Sequence, residues 1–318
     1  MRVLFDILVA GEINPDLILS GQVEPVFGQA ERLVDSADLV VGSSSVIFAC
    51  AAVRLGLKAA FIGLCGEDIF GRFMLAEMQK RGINIEHVIV RPGEQTGLSV
   101  ILNRPLGRGG DDRAILTYPG LIPALTAEAV TDDLLRQARH LHIASYFLQT
   151  RLQPGLPGLF RRARRLGLTT SLDTNYDPSE MWAGFEELLP LVDVFLPNAQ
   201  EALSLTRAAS VDQSLEQLSG LSKTVAIKLG RGGAVARRGN EQRRAGSIPV
   251  QVVDTVGAGD TFDAGFIYGW LQDWSLEKSL QLACVCGALS TRQAGGTRGQ
   301  PSLPEALQRM AELNPDST

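Results

Sequence analysis

Aromatic residues make up only 6% of this 318-residue chain, and cysteine and histidine are rarer still, at four and three. Cys50, Cys65, Cys284 and Cys286 contain no Cys-x-x-Cys pair, and His87, His140 and His142 complete no zinc spacing, which excludes a zinc ribbon. Cys284 and Cys286 lie two apart in a helix-like run and so point in different directions. All four are expected to be buried free thiols in a reducing compartment. No apolar run is long enough to cross a bilayer. The run Val3 to Ala10 contains Asp6, flows into Gly-Glu-Ile-Asn without a small-residue cleavage site, and reads as a first strand, not a signal peptide. The expected location is cytoplasmic, with no membrane partner. A dominant charge of one sign is also missing. The formal charge of −5 argues against non-specific nucleic-acid binding, and Arg161–Arg165 and Arg237–Arg238 read as solvated helix or hairpin faces. Two familiar nucleotide signatures are absent as well: there is no Gly-Lys-Ser/Thr, and no Gly-x-Gly-x-x-Gly follows the first strand.

What is present is an ordinary soluble composition, 45% hydrophobic and 20% charged, with enough apolar residues for a sizeable core. Short β-rich runs (Val3–Ala10, Ala59–Leu64, His140–Ala144, Thr169–Leu172, Val192–Leu196 and Val225–Leu229) alternate with helix-length patterns. The helical patterns are Val46–Leu55, Phe70–Arg81, Leu156–Leu166, Ala199–Leu205 and Leu215–Leu218, and later Leu276–Arg292 and Leu303–Leu313. Such alternation predicts an α/β fold, a central mostly parallel sheet flanked by helices. Residues 16–40 and 96–118 break the pattern, reading as strands and turns that are able to pair into one small sheet beside the main one. Residues 1–318 are expected to form a single domain.

The most informative stretch is Asp254-Thr-Val-Gly257-Ala258-Gly259-Asp260-Thr-Phe-Asp263, which leads into the apolar run Ala264–Leu271. Small residues at 257–259 permit a tight turn, and the apolar run reads as a helix opening there. A helix N-terminus with free N–H groups is an anion site. A carboxylate at such a place either caps the helix or serves as a general base while the N–H groups hold a phosphoryl group.

This stretch resembles the C-terminal signature of the ribokinase-like (PfkB) family of carbohydrate and nucleoside kinases. Further pieces match in order from Gly11 to Pro301, and Gly63-Leu-Cys-Gly66-Glu-Asp68-Ile-Phe-Gly71 matches the N-terminal signature. The resemblance implies a ribokinase-like fold in which lid pieces at about 12–40 and 95–118 cover a sugar site. It also implies ATP-dependent phosphorylation of a sugar or sugar-like hydroxyl. Asp260 would be the base, and the N–H groups around Gly257, Ala258 and Gly259 would stabilise the transferring phosphoryl. Asn198-Ala-Gln-Glu201 resembles the family's Asn-x-x-Glu, which organises Mg²⁺ and phosphate; read locally, it is a helix cap. Lys228-Leu-Gly230-Arg-Gly232-Gly resembles the ATP-binding Gly-x-x-Gly turn. Asp254 carries two readings, a turn-stabilising side chain or a ligand to K⁺ beside the anion hole. Homodimerisation through the lid belongs to the same expectation.

On the sugar side, Asn14 and Asp16 lie two apart and face one side of an extended chain, suited to neighbouring hydroxyls or to an Asx-turn. Gly42-Ser43-Ser44-Ser45 follows. Here the sequence departs from the family's Gly-Gly-x-x-x-Asn: Ser43 replaces the second glycine, and Ile47 replaces the asparagine that would bind sugar hydroxyls. An apolar residue at 47 is expected to shift acceptor preference away from ribose-type sugars. In Asp173-Thr-Asn175-Tyr-Asp177, Asp173 and Asn175 are expected to face the phosphate–metal region, and Asp177 stands where arginine is frequent. Arg113 reads either as a substrate contact or as an exposed hairpin residue. The competing functions are a nucleoside kinase of the same family and a non-catalytic sugar or nucleotide sensor, which would have no need of Asp260.

Overall fold

The computed structural model describes residues 3–104 and 113–313, so part of the second strand-and-turn piece, at 105–112, lies outside the described residues. An eight-stranded sheet organises the chain. Its strands are β1 (Phe5–Ala10), β4 (Ala59–Ile62), β9 (Ala138–Ile143), β10 (Thr169–Leu172), β11 (Val194–Phe195), β12 (Thr224–Lys228), β13 (Ala234–Arg238) and β14 (Glu241–Ala245), in the order β14-β13-β12-β11-β10-β9-β1-β4. The six from β12 to β4 run parallel, and β13 and β14 add an antiparallel hairpin at one edge.

Strands buried on both faces need apolar side chains in both directions. In β1, Ile7 and Val9 point into one core and Leu8 and Ala10 into the other, the period of two that a pleat imposes. The first core is covered by α1 (Ser44–Arg54), α2 (Ile69–Lys80), α7 (Ala258–Leu271), α8 (Leu276–Ser290) and α9 (Leu303–Leu313). The second is covered by α3 (Asp132–Leu135), α4 (Leu156–Arg165), α5 (Ala199–Thr206) and α6 (Val211–Ser219). Helix α7 is apolar nearly all round because it is buried nearly all round. It packs tightly on α8, where a Cβ on Gly269 would come within 2.5 Å of Ser279 Oγ.

The two irregular pieces do pair. β2 (Pro15–Ser20), β3 (Ser36–Val41), β7 (Leu98–Asn103) and β8 (Arg113–Tyr118) form a separate sheet in the order β3-β2-β7-β8, with β2 and β7 parallel. A third, two-stranded sheet joins β5 (Leu64–Gly66) to β6 (Ile89–Arg91).

Several boundaries differ from the sequence expectation. The run at 59–64 splits at Gly63, where a Cβ would lie 2.3 Å from the Gly11 carbonyl oxygen. The run at 192–196 contributes only two strand residues, because a 3₁₀ turn (Leu189–Leu191) precedes it and Pro197 follows it. The helix expected at 215–218 is the end of a longer one that opens at Ser210, whose side chain accepts from the Gln213 N–H. Arg237 and Arg238 lie in the edge hairpin.

Candidate active site

The carboxyl ends of β1, β10, β11 and β12 converge on the N-terminus of α7, the position at which open α/β sheets bind ligands. Gly257 adopts φ +72° and caps α7 without a side chain, and a Cβ there would meet Gly296 at 2.8 Å and Ile47 at 2.9 Å. The turn therefore needs glycine on both counts. The first-turn N–H groups of Gly259 and Asp260 have no acceptor within the helix. Asp260 is buried in that turn, and burial first, then the charge of Asp173, pushes its carboxyl up to about 8.

Beside the turn lies Lys228, at the end of β12. Its Nζ is 2.8 Å from Asp173 Oδ2 and 3.1 Å from Asp263 Oδ2, and a Cβ on Gly259 would lie 3.6 Å from it. Asp173 leaves the end of β10, and Asp263 stands three residues after Asp260, on the same face of α7. The carboxyl oxygens of Asp173, Asp260 and Asp263 lie within 4.8 Å of one another. The sequence reading assigned Asp263 no role, although its i+3 spacing from Asp260 is a usable signal.

Next to Lys228, across a bridge between their backbones, stands Asn198. Its side chain accepts from the Glu201 N–H at 2.9 Å, while Glu201 accepts from the Asn198 N–H at 2.8 Å and from its Nδ2. This is a capping box. Glu201 is nevertheless buried, and burial followed by the nearby Asp173 charge pushes it up to about 7. A crowded, oxygen-bearing carboxylate of this kind suits a hard divalent cation, which would relieve the repulsion. Asp254 accepts from the Val256 N–H at 3.0 Å and the Gly295 N–H at 2.8 Å, tying the Gly257 turn to the late glycine loop. A cleft of about 710 Å³ opens beside the turn, lined by Lys228, Gly230, Ile248, Thr255, Gly259 and Ala288, a volume in the range of ligand sites. Gly232 lies in the adjacent 3₁₀ turn, Gly230–Gly232.

The other group surrounds Glu12, which the sequence reading passed over. Its carboxylate accepts from Ser43 Oγ (3.0 Å), Ser45 N–H (3.1 Å), Ser45 Oγ (2.6 Å) and Ser145 Oγ (2.9 Å), binding the ends of β1 and β9 to the start of α1. Ser43 sits at φ +67°, a conformation in which glycine is usual, and its hydroxyl also donates to the Glu12 carbonyl at 2.7 Å. Asn14 donates to Asp16 Oδ1 and Ser99 Oγ, both at 3.4 Å. Burial pushes Asp16 up to about 7, against the pull of Arg113 from β8. Gly42 lies against the Asp16 carboxylate. Ile47 is 3% exposed beneath Gly257 and Gly296. Asp177 organises its own turn, accepting from the N–H groups of Ser179 and Trp182, both at 2.8 Å. The four cysteines are free and buried, and no helix among the described residues is long and apolar enough to cross a membrane.

A parallel α/β sheet whose strand ends deliver a carboxyl, an ammonium and a glycine-rich anion turn to one place defines a phosphotransferase-like site. Residues 47–303 match the pfkB family of carbohydrate kinases. An uncharacterized sugar kinase of Archaeoglobus fulgidus is 30% identical over 78% of this chain and 97% of its own. The 5-dehydro-2-deoxygluconokinase of Geobacillus kaustophilus is 29% identical over 82% and 81%. An E. coli structure described as a ribokinase II in complex with ATP and Mg²⁺ superposes with a TM-score of 0.84 over 98% of this chain and all of that one, at 24% identity. The chain belongs to the pfkB family of carbohydrate kinases and has the ribokinase-like fold. It is an ATP-dependent carbohydrate kinase.

Proposed function

We propose that the chain transfers the γ-phosphoryl group of ATP to a hydroxyl of a small sugar or sugar-like acceptor, with Asp260 as general base. The observation that carries this reading is the buried Asp260 carboxyl in the first turn of α7, beside the Lys228 ammonium and the N–H groups of an anion turn. Asp260 takes the proton from the acceptor hydroxyl as its oxygen attacks the γ-phosphorus and ADP leaves. The N–H groups at 257–260 and Lys228 face the charge that develops on the phosphoryl oxygens. The cleft lined by Gly230 and Ile248 receives the nucleotide. Gly42, Ser43, Asn14 and Asp16 line the acceptor side, with Asn14 and Asp16 orienting its hydroxyls beneath the four-stranded sheet acting as a lid, and Ile47 shapes preference from under the turn. Mg²⁺ would be held through water near Asn198 and Glu201, where it neutralises phosphate charge. K⁺ beside Asp254 and the late glycine loop would strengthen the anion hole.

The remaining parts of the reading concern the setting. Buried free thiols support a cytoplasmic location, and the net charge of −5 supports small-molecule partners over nucleic acid. The exposed edge strand β8, with Ile115 and Leu116 outward, supports a homodimer through the lid.

An ADP-release screen over sugars, keto-sugar acids and nucleosides, with Mg²⁺ present and K⁺ or Na⁺ as the salt, tests the whole reading. Saturable turnover with a sugar or sugar acid is expected. Turnover confined to nucleosides would move the acceptor to the other branch of the family, and no turnover with any acceptor would overturn the transfer.

A further inference from the structure

We propose that Asp263 is a positioning residue that works as a neutral acid: it donates its proton to Asp173 and, with that aspartate, holds the Lys228 ammonium against the phosphate turn. The role given to Lys228 rests on the phosphotransfer reading; the sharing of the proton does not.

Charge counting comes first. Asp173, Asp260 and Asp263 bring three carboxyls within 4.8 Å of one another, and the side chains of Asp173 and Asp263 are 3% and 1% exposed. Lys228, 11% exposed, is the cation paired with them. Fully ionised, the cluster would bury a net charge of −2, and each uncompensated buried charge is expensive. Among the described residues, the titratable groups that face the cluster from neighbouring elements do not repair the deficit. Glu201 on α5 adds a further carboxyl, Glu12 after β1 adds another, and His142 on β9 is buried and driven far toward its neutral form by desolvation. Protons must therefore reside on the carboxyls.

Geometry distinguishes the two partners of Lys228. The ammonium is 2.8 Å from one oxygen of Asp173, the short contact of a charge-assisted bond. It is 3.2 and 3.1 Å from the two oxygens of Asp263, a looser and nearly symmetric contact. Asp173 also receives the Asn175 N–H, at 3.4 Å. Asp173 is thus the carboxylate that collects donors, and Asp263 the group with a proton to give. The titration behaviour agrees in direction: burial drives Asp263 well above the usual carboxylate range, whereas Asp173 lies below it despite its burial, held there by Lys228 and by the Asp263 hydrogen bond. Because Lys228 also lies beside Gly259, the pair of aspartates fixes a positive charge where the anion turn needs one.

The proposal has an asymmetric signature. Asparagine at 263 supplies one N–H donor for Asp173 and one oxygen for Lys228, so Asp263→Asn mimics the neutral acid. Its kcat and KM for ATP should stay within about threefold of wild type. Asp263→Leu removes both contacts and should raise the KM for ATP and lower kcat, together about 10–100-fold in kcat/KM. Asp173→Asn removes the carboxylate and should lower the melting temperature, whereas Asp263→Asn should not. The infrared difference spectrum at pH 7, wild type minus Asp263→Asn, should contain the carbonyl band of a protonated carboxyl. A missing band, or damage from asparagine at 263 equal to that from leucine, would overturn the proposal. The infrared and melting measurements need no turnover, so a chain that phosphorylates nothing would refute the transfer reading and leave the shared proton to be judged by these two measurements.

Discussion

Asp16 occupies the space that any side chain at Gly42 would need: a Cβ at 42 would lie 2.2 Å from Asp16 Oδ1 and 2.8 Å from its backbone nitrogen. The carboxylate lies across the glycine, and that approach fixes where it points. Gly42→Ala should displace Asp16 and raise the KM for the acceptor about 10–100-fold, the worth of a hydrogen bond to a charged group, with the KM for ATP little changed. Steady-state kinetics with each substrate varied separately decide the matter. An unchanged acceptor KM would remove Asp16 from the acceptor site.

Asp260→Asn retains size and shape in the first turn of α7, but it cannot take a proton. Its kcat should fall roughly 10²–10⁴-fold while the fold survives. ATP affinity should hold at neutral pH, where the carboxyl is already protonated, and improve only above about pH 8, where the native residue carries a negative charge beside the γ-phosphate. Turnover near wild type in a well-folded variant would leave Asp260 as a buried first-turn carboxyl with no part in proton transfer.

The same carboxyl sets two opposed pH dependences. With Asp260 pushed up to about 8, the free enzyme holds it protonated below that pH, so kcat/KM should climb about tenfold per pH unit up to roughly 8 and then level off. Stability runs the other way. A carboxyl raised in the fold favours the native state fully below its ordinary value, 3.8, and loses that contribution as the pH rises through about 8. Thermal melts should therefore show stability falling across this window, by up to about 1.4 kcal/mol per pH unit for the group. Asp16, raised to about 7, acts in the same direction over a narrower range. Asp260→Asn should flatten the slope; an unchanged slope would assign it to other groups.

Glu201→Gln tests the metal end. Glutamine still accepts from the Asn198 N–H, so the capping box survives, but the charge is lost. The Mg²⁺ concentration for half-maximal activity should rise about 10–100-fold with the melting temperature near wild type. An unaltered Mg²⁺ titration would reduce Glu201 to its helix.

Much of this was legible in the sequence because it is local. Gly257–Asp260 is a continuous turn, the β-rich run Thr169–Leu172 is a strand with the expected bounds, and Asp68 caps α2 by accepting from the Gly71 N–H at 2.7 Å. What was illegible depends on distant segments. Asp173, Lys228 and Asp263 are brought together from three elements across 90 residues, and no spacing rule connects them. Glu12 sits between Gly11 and Asn14 just after the first strand, yet its partners are three serines whose hydroxyls look like generic loop polarity until α1 and β9 arrive beside it. The β13–β14 hairpin escaped because its outer strand, Glu-Gln-Arg-Arg-Ala, carries no apolar alternation; it is an edge strand, defended by charge. Ile47 is read one way by analogy and another by contact: at its position the side chain supports the two glycine loops from below.

Helix α7 is enclosed on nearly every side by α1, α8 and the sheet, so the carboxyl at its first turn has a fixed address. Asn14 and Asp16, by contrast, stand at the root of β2, which belongs to the smaller sheet and leaves the main one through a four-residue connection, residues 11–14. Any adjustment in the gap between reacting groups must therefore be made from one side. Because Glu12 pins that connection to Ser43, Ser45 and Ser145, a longer or bulkier acceptor is accommodated by side-chain exchange on the smaller sheet, and selection for a new substrate has room to act there without disturbing the chemistry.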